Sequence, residues 1–165
     1  MSWISAITDS YRRFRHSKGF GVHSPFAYAL ITEALYPSRG YMYYLESDPR
    51  LESAAPADSR RTRALYRVCL FLRNSLCPVP RIYIFGEAPQ SFAKAARLAG
   101  CTLVSRSDLA DCLILSGNHE SGLIASLRQT SLPEKDAKGA LILGGRTMTI
   151  AVRRSGMADI IYTLP

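Results

Sequence analysis

The sequence predicts an α/β fold in which a mostly parallel sheet is covered on both faces by helices and is preceded by a helical N-terminal extension. Three observations carry this expectation. Short runs at 81–85, 101–104, 112–115 and 139–143 are almost continuously apolar, as strands buried on both faces are. Segments with helical spacing alternate with them through the second half of the chain, which is the pattern of βα units. The first half shows helical periodicity and no strand.

Each element has a local reason. Trp3, Ile4, Ile7, Tyr11 and Phe14 recur at helical spacing and predict a short amphipathic helix over 1–15. Arg12, Arg13 and Arg15 suit the negative pole of its dipole, and Ser17-Lys-Gly-Phe-Gly21 breaks it. Ser24-Pro25 reads as an N-cap followed by proline in the first helical position. That helix continues through Phe26, Tyr28, Leu30, Ile31 and Leu35 and stops before Pro37. Tyr36 to Tyr44 reads as an irregular aromatic arm, and 46–58 as a polar linker punctuated by proline. From Ser59 to about Leu76 a longer helix carries the stripe Leu65, Val68, Cys69 and Leu72, and Pro78 and Pro80 end it.

The alternating half begins with a strand, Arg81-Ile-Tyr-Ile-Phe85. A helix over 90–99 buries Phe92, Ala95, Ala96 and Ala99 and ends at Gly100. Strands follow at 101–104 and 112–115, then a helix near 121–130 and a strand at 139–143. A short helix near 147–154 and a last strand over 159–163 close the pattern.

A chain of 165 residues with 47% hydrophobic and 21% charged residues fits one domain with its own core. We divide 1–165 into a helical extension with linker, 1–58, and a core, 59–165. The net charge of +8 draws phosphate-bearing partners over long range, yet no nucleic-acid-binding signature accompanies it. Arg60-Arg-Thr-Arg63 fits a solvated helix face. Cys69, Cys77, Cys101 and Cys112 show no zinc or redox spacing, and three of them sit in apolar runs as small hydrophobes. No secretory signal is seen, and no apolar run approaches the roughly 18 residues of a membrane span. The expected location is cytoplasmic, without a membrane partner.

In open parallel sheets, ligands sit beyond the carboxyl ends of the strands. Three such ends are readable: Gly86-Glu87, Ser116-Gly-Asn-His119 and Gly144-Gly145. Gly21-Val-His-Ser-Pro-Phe26, the aromatic arm after it, and Asp111-Cys-Leu-Ile-Leu-Ser-Gly-Asn-His119 together resemble a bacterial branch of the class I S-adenosylmethionine-dependent methyltransferases, close to the small-molecule O-methyltransferases. The resemblance implies a three-layer, Rossmann-like, mostly parallel sheet of reduced strand number. It also implies cofactor contacts at Gly86, Glu87, Ser116 and Gly117, in vestigial form, with S-adenosylmethionine as the cofactor if there is one.

The departures from that family are concentrated at its ligand positions. Ile84 stands where the family has an acid, Gln90 where it has a second glycine, and Pro89 removes a backbone donor. Ser105-Arg106 follows the second strand in place of the ribose-binding carboxylate, with Asp108 able to substitute only after a rearranged turn. Residues 105–111 are too few for a crossover of roughly ten or more, so either a strand is missing or the two runs are joined in another way. Ser116 and Gly144-Gly145 replace the aspartates of metal-dependent members, and no metal site is expected.

His119 beside Glu120 is the weak candidate for a catalytic base, although a histidine at a strand-to-helix turn more often caps the turn. His23 is expected to serve the helix start, and Glu87 to be an exposed acid at a helix N-terminus. Tyr36, Tyr41, Tyr43 and Tyr44 could stack on a ring but more often form a packing surface. The expected function is a methyltransferase-like domain, catalytically degenerate, retained to bind a ligand or a protein. The alternative is an active, metal-independent O-methyltransferase for a small molecule, with Glu87 and Asp108 taking over cofactor contacts and His119 as base. A third reading binds nucleic acid through Arg12, Arg13, Arg15 and Arg60–Arg63. The sequence leaves open a small molecule, a protein or a second copy as partner.

Overall fold

The computed structural model describes residues 3–19, 21–37, 59–85, 89–116, 138–145, 148–155 and 160–164. Helix α1 spans Trp3–Ser17. Helix α2, Pro25–Ala29, runs into a π-helical turn over Leu30–Leu35. Helix α3 covers Ser59–Ser75, and α4 covers Gln90–Leu98. The strands are β1 Arg81–Phe85, β2 Thr102–Leu103, β3 Cys112–Ser116, β4 Lys138–Gly144, β5 Met148–Ser155 and β6 Ile160–Thr163.

The local signals act as written. Ser24 is the N-cap of α2: its hydroxyl accepts from Ala27 N at 3.3 Å, and its carbonyl from Tyr28 N at 2.8 Å. The following turn widens, so that Tyr36 N reaches Ile31 O at 2.8 Å. Arg67 of α3 then donates through Nε to Ala34 O at 2.7 Å, satisfying a carbonyl that the helix end leaves open. Gly100 closes α4 with φ +82°, and Arg73 Nη1 donates to Ala99 O at 3.2 Å. His23 does not cap the helix; its backbone N–H donates to Tyr162 Oη at 3.2 Å, and its side chain is exposed.

The six strands form one sheet in the order β2-β1-β3-β5-β4-β6. The pairs β1/β2, β1/β3 and β4/β6 are parallel, while β5 runs antiparallel between β3 and β4. The sheet is thus mostly parallel, as expected, with one reversed strand. That strand corrects the short helix expected near 147–154. Met148, Ile150 and Val152 point to one side and Thr149 and Ala151 to the other, all buried, which a strand of period two achieves and a helix cannot. Gly145 N donates to Met148 O at 3.0 Å and closes the β4–β5 hairpin, so no crossover helix is needed.

The short passage from β2 to β3 is resolved by register. Leu103 and Cys112 both pair with Ile82, so the chain leaves β2 and enters β3 at the same level of the sheet. Residues 104–111 need only step sideways across β1, about 10 Å for two strand spacings. They carry a 3₁₀ turn, Ser107–Leu109, and bury Ala110 against Leu113 and Tyr83. No strand is missing between these two runs.

The main core lies on one face of the sheet. Ile82 and Ile84 of β1, Ile114 of β3, Leu141 and Leu143 of β4, and Ile150 of β5 meet Leu65, Leu72, Phe92 and Leu30 of the helices there. Fully burying a side chain such as Phe92 stabilises the fold by about 2–3 kcal/mol. Thr62 and Ser91 join α3 to α4 through a hydroxyl pair at 3.1 Å. On the second face, Leu113, Leu115, Ile142 and Ala151 are equally buried, though every described helix that joins a core cluster joins the first. The expected helix near 121–130, the linker 46–58 and Tyr41, Tyr43 and Tyr44 lie outside the described residues.

Candidate functional site

Because five of the six strands run in one direction, their carboxyl ends share one edge of the sheet. A cleft of about 180 Å³ opens there, between the end of β4, the start of β5 and the first turns of α3. Leu143, Met148 and Leu164 line it with buried apolar side chains, and Gly145, Tyr36, Arg60 and Arg61 also line it. It is built by the hairpin that reverses at Gly145 and by the π-helical turn that ends at Tyr36. Burial pushes the Tyr36 phenol above its ordinary range, so Tyr36 presents a neutral hydroxyl across the neutral pH range. Arg60 is exposed and Arg61 half-buried, and both stand in the first turn of α3, where positive charge adds to the helix pole. An apolar lining joined by cationic side chains suits a small molecule carrying an anionic group.

Of the strand end Gly144-Gly145, Gly145 lines this cleft. Gly86, Glu87, Gly117 and His119, expected as cofactor contacts or base, lie outside the described residues. Ser116 closes β3, half-buried and in register with Met148 of β5. Ile84, where the methyltransferases that the sequence resembles carry an acid, is half-buried and packs against the helix-side core. Gln90 opens α4 and is exposed; Pro89 precedes it with ψ 141° and provides no side-chain cap.

Asp108, the possible replacement for the ribose-binding acid, is already engaged. Its carboxylate accepts from Arg106 Nε at 3.1 Å and Nη2 at 2.7 Å, and this pairing holds it below the usual carboxylate range. Its backbone carbonyl accepts from Arg153 Nη1 at 3.1 Å. S-adenosylmethionine needs acceptors for its ribose hydroxyls and slender backbone beside its amino-acid end. Ile84 offers no acceptor, Pro89 and Gln90 are bulkier than glycine, and Asp108 shares its carboxylate with Arg106.

Asp111, first residue of the segment ending in His119, lies at the opposite edge of the sheet from the cleft. It takes three bonds from Arg81 and is a structural pin. Cys69, Cys101 and Cys112 are buried in the core and unbridged. The neighbouring Cys101 thiol and burial push Cys69 well up, and burial foremost does the same to Cys112, so both are protonated and inert. Among the described residues no cluster of three metal-ligating side chains occurs, and no helix is long and apolar enough to cross a membrane.

Sequence reasoning gave Tyr36, Arg60 and Arg61 other roles and passed over Leu143, Met148 and Leu164. Only the antiparallel return of β5 brings these groups together, and nothing in their local spacing signals it. Comparison with family models, with curated proteins and with solved structures returns no match for this chain.

Proposed function

We propose that the protein is a methyltransferase-like, Rossmann-like domain that has lost methyl transfer and binds a small anionic ligand at the carboxyl edge of its sheet. The observation that carries this reading is the state of the two positions a cofactor would need: Ile84 is half-buried against the core, and Asp108 is tied to Arg106. The strand order supports the Rossmann-like part. β2 and β3 flank β1, so the direction of winding reverses at β1 as it does in doubly wound sheets. The cleft lined by Tyr36, Arg60 and Arg61 supports the binding part.

Calorimetry tests both halves. S-adenosylmethionine and its demethylated product give no heat of binding at about 1 mM, a level that detects affinities down to roughly −4 kcal/mol. Micromolar binding of either, or transfer of labelled methyl groups to any acceptor, overturns the reading. A screen of small aromatic carboxylates and phosphates by thermal shift finds the ligand class, and Arg60→Ala together with Arg61→Ala removes the shift.

A further inference from the structure

Helix α1 is attached to the domain by its polar side. Arg13 Nη1 donates to Leu164 O at 3.5 Å, the His16 ring meets the Tyr162 ring edge-on at 5.6 Å, and Ser17 is buried. These three residues are separated by three and one positions and share one face of the helix. The opposite face carries Ile7, Tyr11 and Phe14, spaced four and three apart, which are 60%, 63% and 58% exposed. An amphipathic helix that packs on its own domain normally turns the apolar stripe inward. Here Ile7, Tyr11 and Phe14 are turned outward.

The charges beside this stripe indicate what it meets. Arg12, Arg15 and Lys18 are exposed, and the Arg15 guanidinium lies 6.0 Å from the Tyr11 ring centre. The helix has one acid in its sequence, Asp9, and the whole chain carries +8. A second copy of the same stripe would bring these cations against their own kind, which disfavours self-association. An aromatic and aliphatic stripe flanked by arginine and lysine matches a helix lying in the headgroup layer of an anionic bilayer.

We propose that α1 docks the domain peripherally onto anionic lipid, with Ile7, Tyr11 and Phe14 entering the acyl boundary and Arg12, Arg15 and Lys18 among the headgroups. No spanning segment is involved, so the absence of an apolar run from the sequence does not bear on it. The domain then sits with the β6 side toward the membrane, because His16 and Arg13 hold α1 against Tyr162 and Leu164.

The full chain is tested by co-sedimentation with vesicles of phosphatidylcholine alone and with about 30% phosphatidylglycerol. Binding to the anionic vesicles is expected, at least about tenfold above the zwitterionic ones, and falls steeply as salt rises from about 0.05 to 0.5 M. Tyr11→Ser with Phe14→Ser lowers partitioning at least about tenfold while leaving the melting temperature unchanged, because both side chains face solvent. Arg12→Gln with Lys18→Gln weakens binding to anionic vesicles only. Absence of binding, or equal binding to both vesicle types, overturns the proposal. A solution dimer in light scattering that Tyr11→Ser and Phe14→Ser dissolve overturns it too, and assigns the stripe to a second copy.

Discussion

Asp111 holds Arg81 by three bonds: Oδ1 accepts from Nη2 at 2.8 Å, and Oδ2 accepts from Nε at 3.1 Å and from the backbone N–H of Arg81 at 2.9 Å. The backbone completes the clamp. Asp111 N donates to Arg81 O at 2.8 Å, and Asp111 O accepts from Arg153 N at 2.9 Å. One residue therefore fixes the starts of β1 and β3 and the far end of β5.

This clamp predicts an asymmetry between its partners. Asp111→Ala strips the carboxylate from both the guanidinium and a backbone donor, and costs about 2 kcal/mol in chemical denaturation. Arg81→Met removes only the partly exposed ion pair and costs about 0.5 kcal/mol, because solvent screens it and the backbone bond to Asp111 survives. Equal losses for the two variants would mean that the side-chain pair alone matters.

Thiol chemistry separates the four cysteines. Cys77 is half-buried, whereas Cys69, Cys101 and Cys112 are in the core and none is bridged. A disulfide reagent at pH 8 modifies one thiol per chain in an early phase, slower than a free thiol reacts, since burial foremost raises Cys77. The other three react only at the rate of unfolding. Cys77→Ser abolishes the early phase. Two fast thiols would show that the core around α3 and α4 opens far below the global transition.

Tyr36 sets an alkaline limit. Burial raises its folded pKa above the unfolded value near 10, since the phenolate is disfavoured. The unfolded chain therefore loses this proton first as pH rises. The stabilising contribution is intact below about pH 10 and is lost between there and the folded pKa. In ultraviolet titration Tyr36 ionises late, and Tyr36→Phe removes its share of the late absorbance change. Denaturation midpoints fall with pH above about 10 less steeply in that variant. A titration curve left unchanged by Tyr36→Phe would place the burial elsewhere.

Much of the fold was legible because its signals are local. Ser24-Pro25 names a helix start through one hydroxyl and one fixed φ, and Gly100 names a helix end through one positive φ. Cys112-Leu-Ile-Leu115 names a central strand because no other element hides four consecutive apolar residues so well. Met148–Ser155 was not legible. It reads as a short helix, and only in the sheet does Arg154 stack 4.8 Å from the Phe26 ring while Arg153 donates to the 3₁₀ turn. The cleft shared that fate, since Tyr36, Arg60 and Leu164 meet only after β5 has been inserted. The outward stripe of α1 was visible as a stripe, but its direction depends on Tyr162, nearly the whole chain away.

The turn between α1 and α2 gives a last quantitative test. Gly19 and Gly21 both adopt positive φ, +79° and +77°, which costs any other residue about 1–2 kcal/mol. Their surroundings differ. A Cβ on Gly21 meets only the His16 ring, at 3.9 and 4.0 Å, ordinary contacts, whereas a Cβ on Gly19 overlaps the Tyr28 ring. Gly21→Ala therefore reports the backbone term alone. Gly19→Ala adds the displacement of Tyr28 and exceeds it by about 1 kcal/mol. Tyr28→Ala is mild by itself, since the ring is about half exposed, and in its presence Gly19→Ala falls to the Gly21→Ala value. If the two glycine variants cost the same in both backgrounds, the ring of Tyr28 does not seat against the α1–α2 turn.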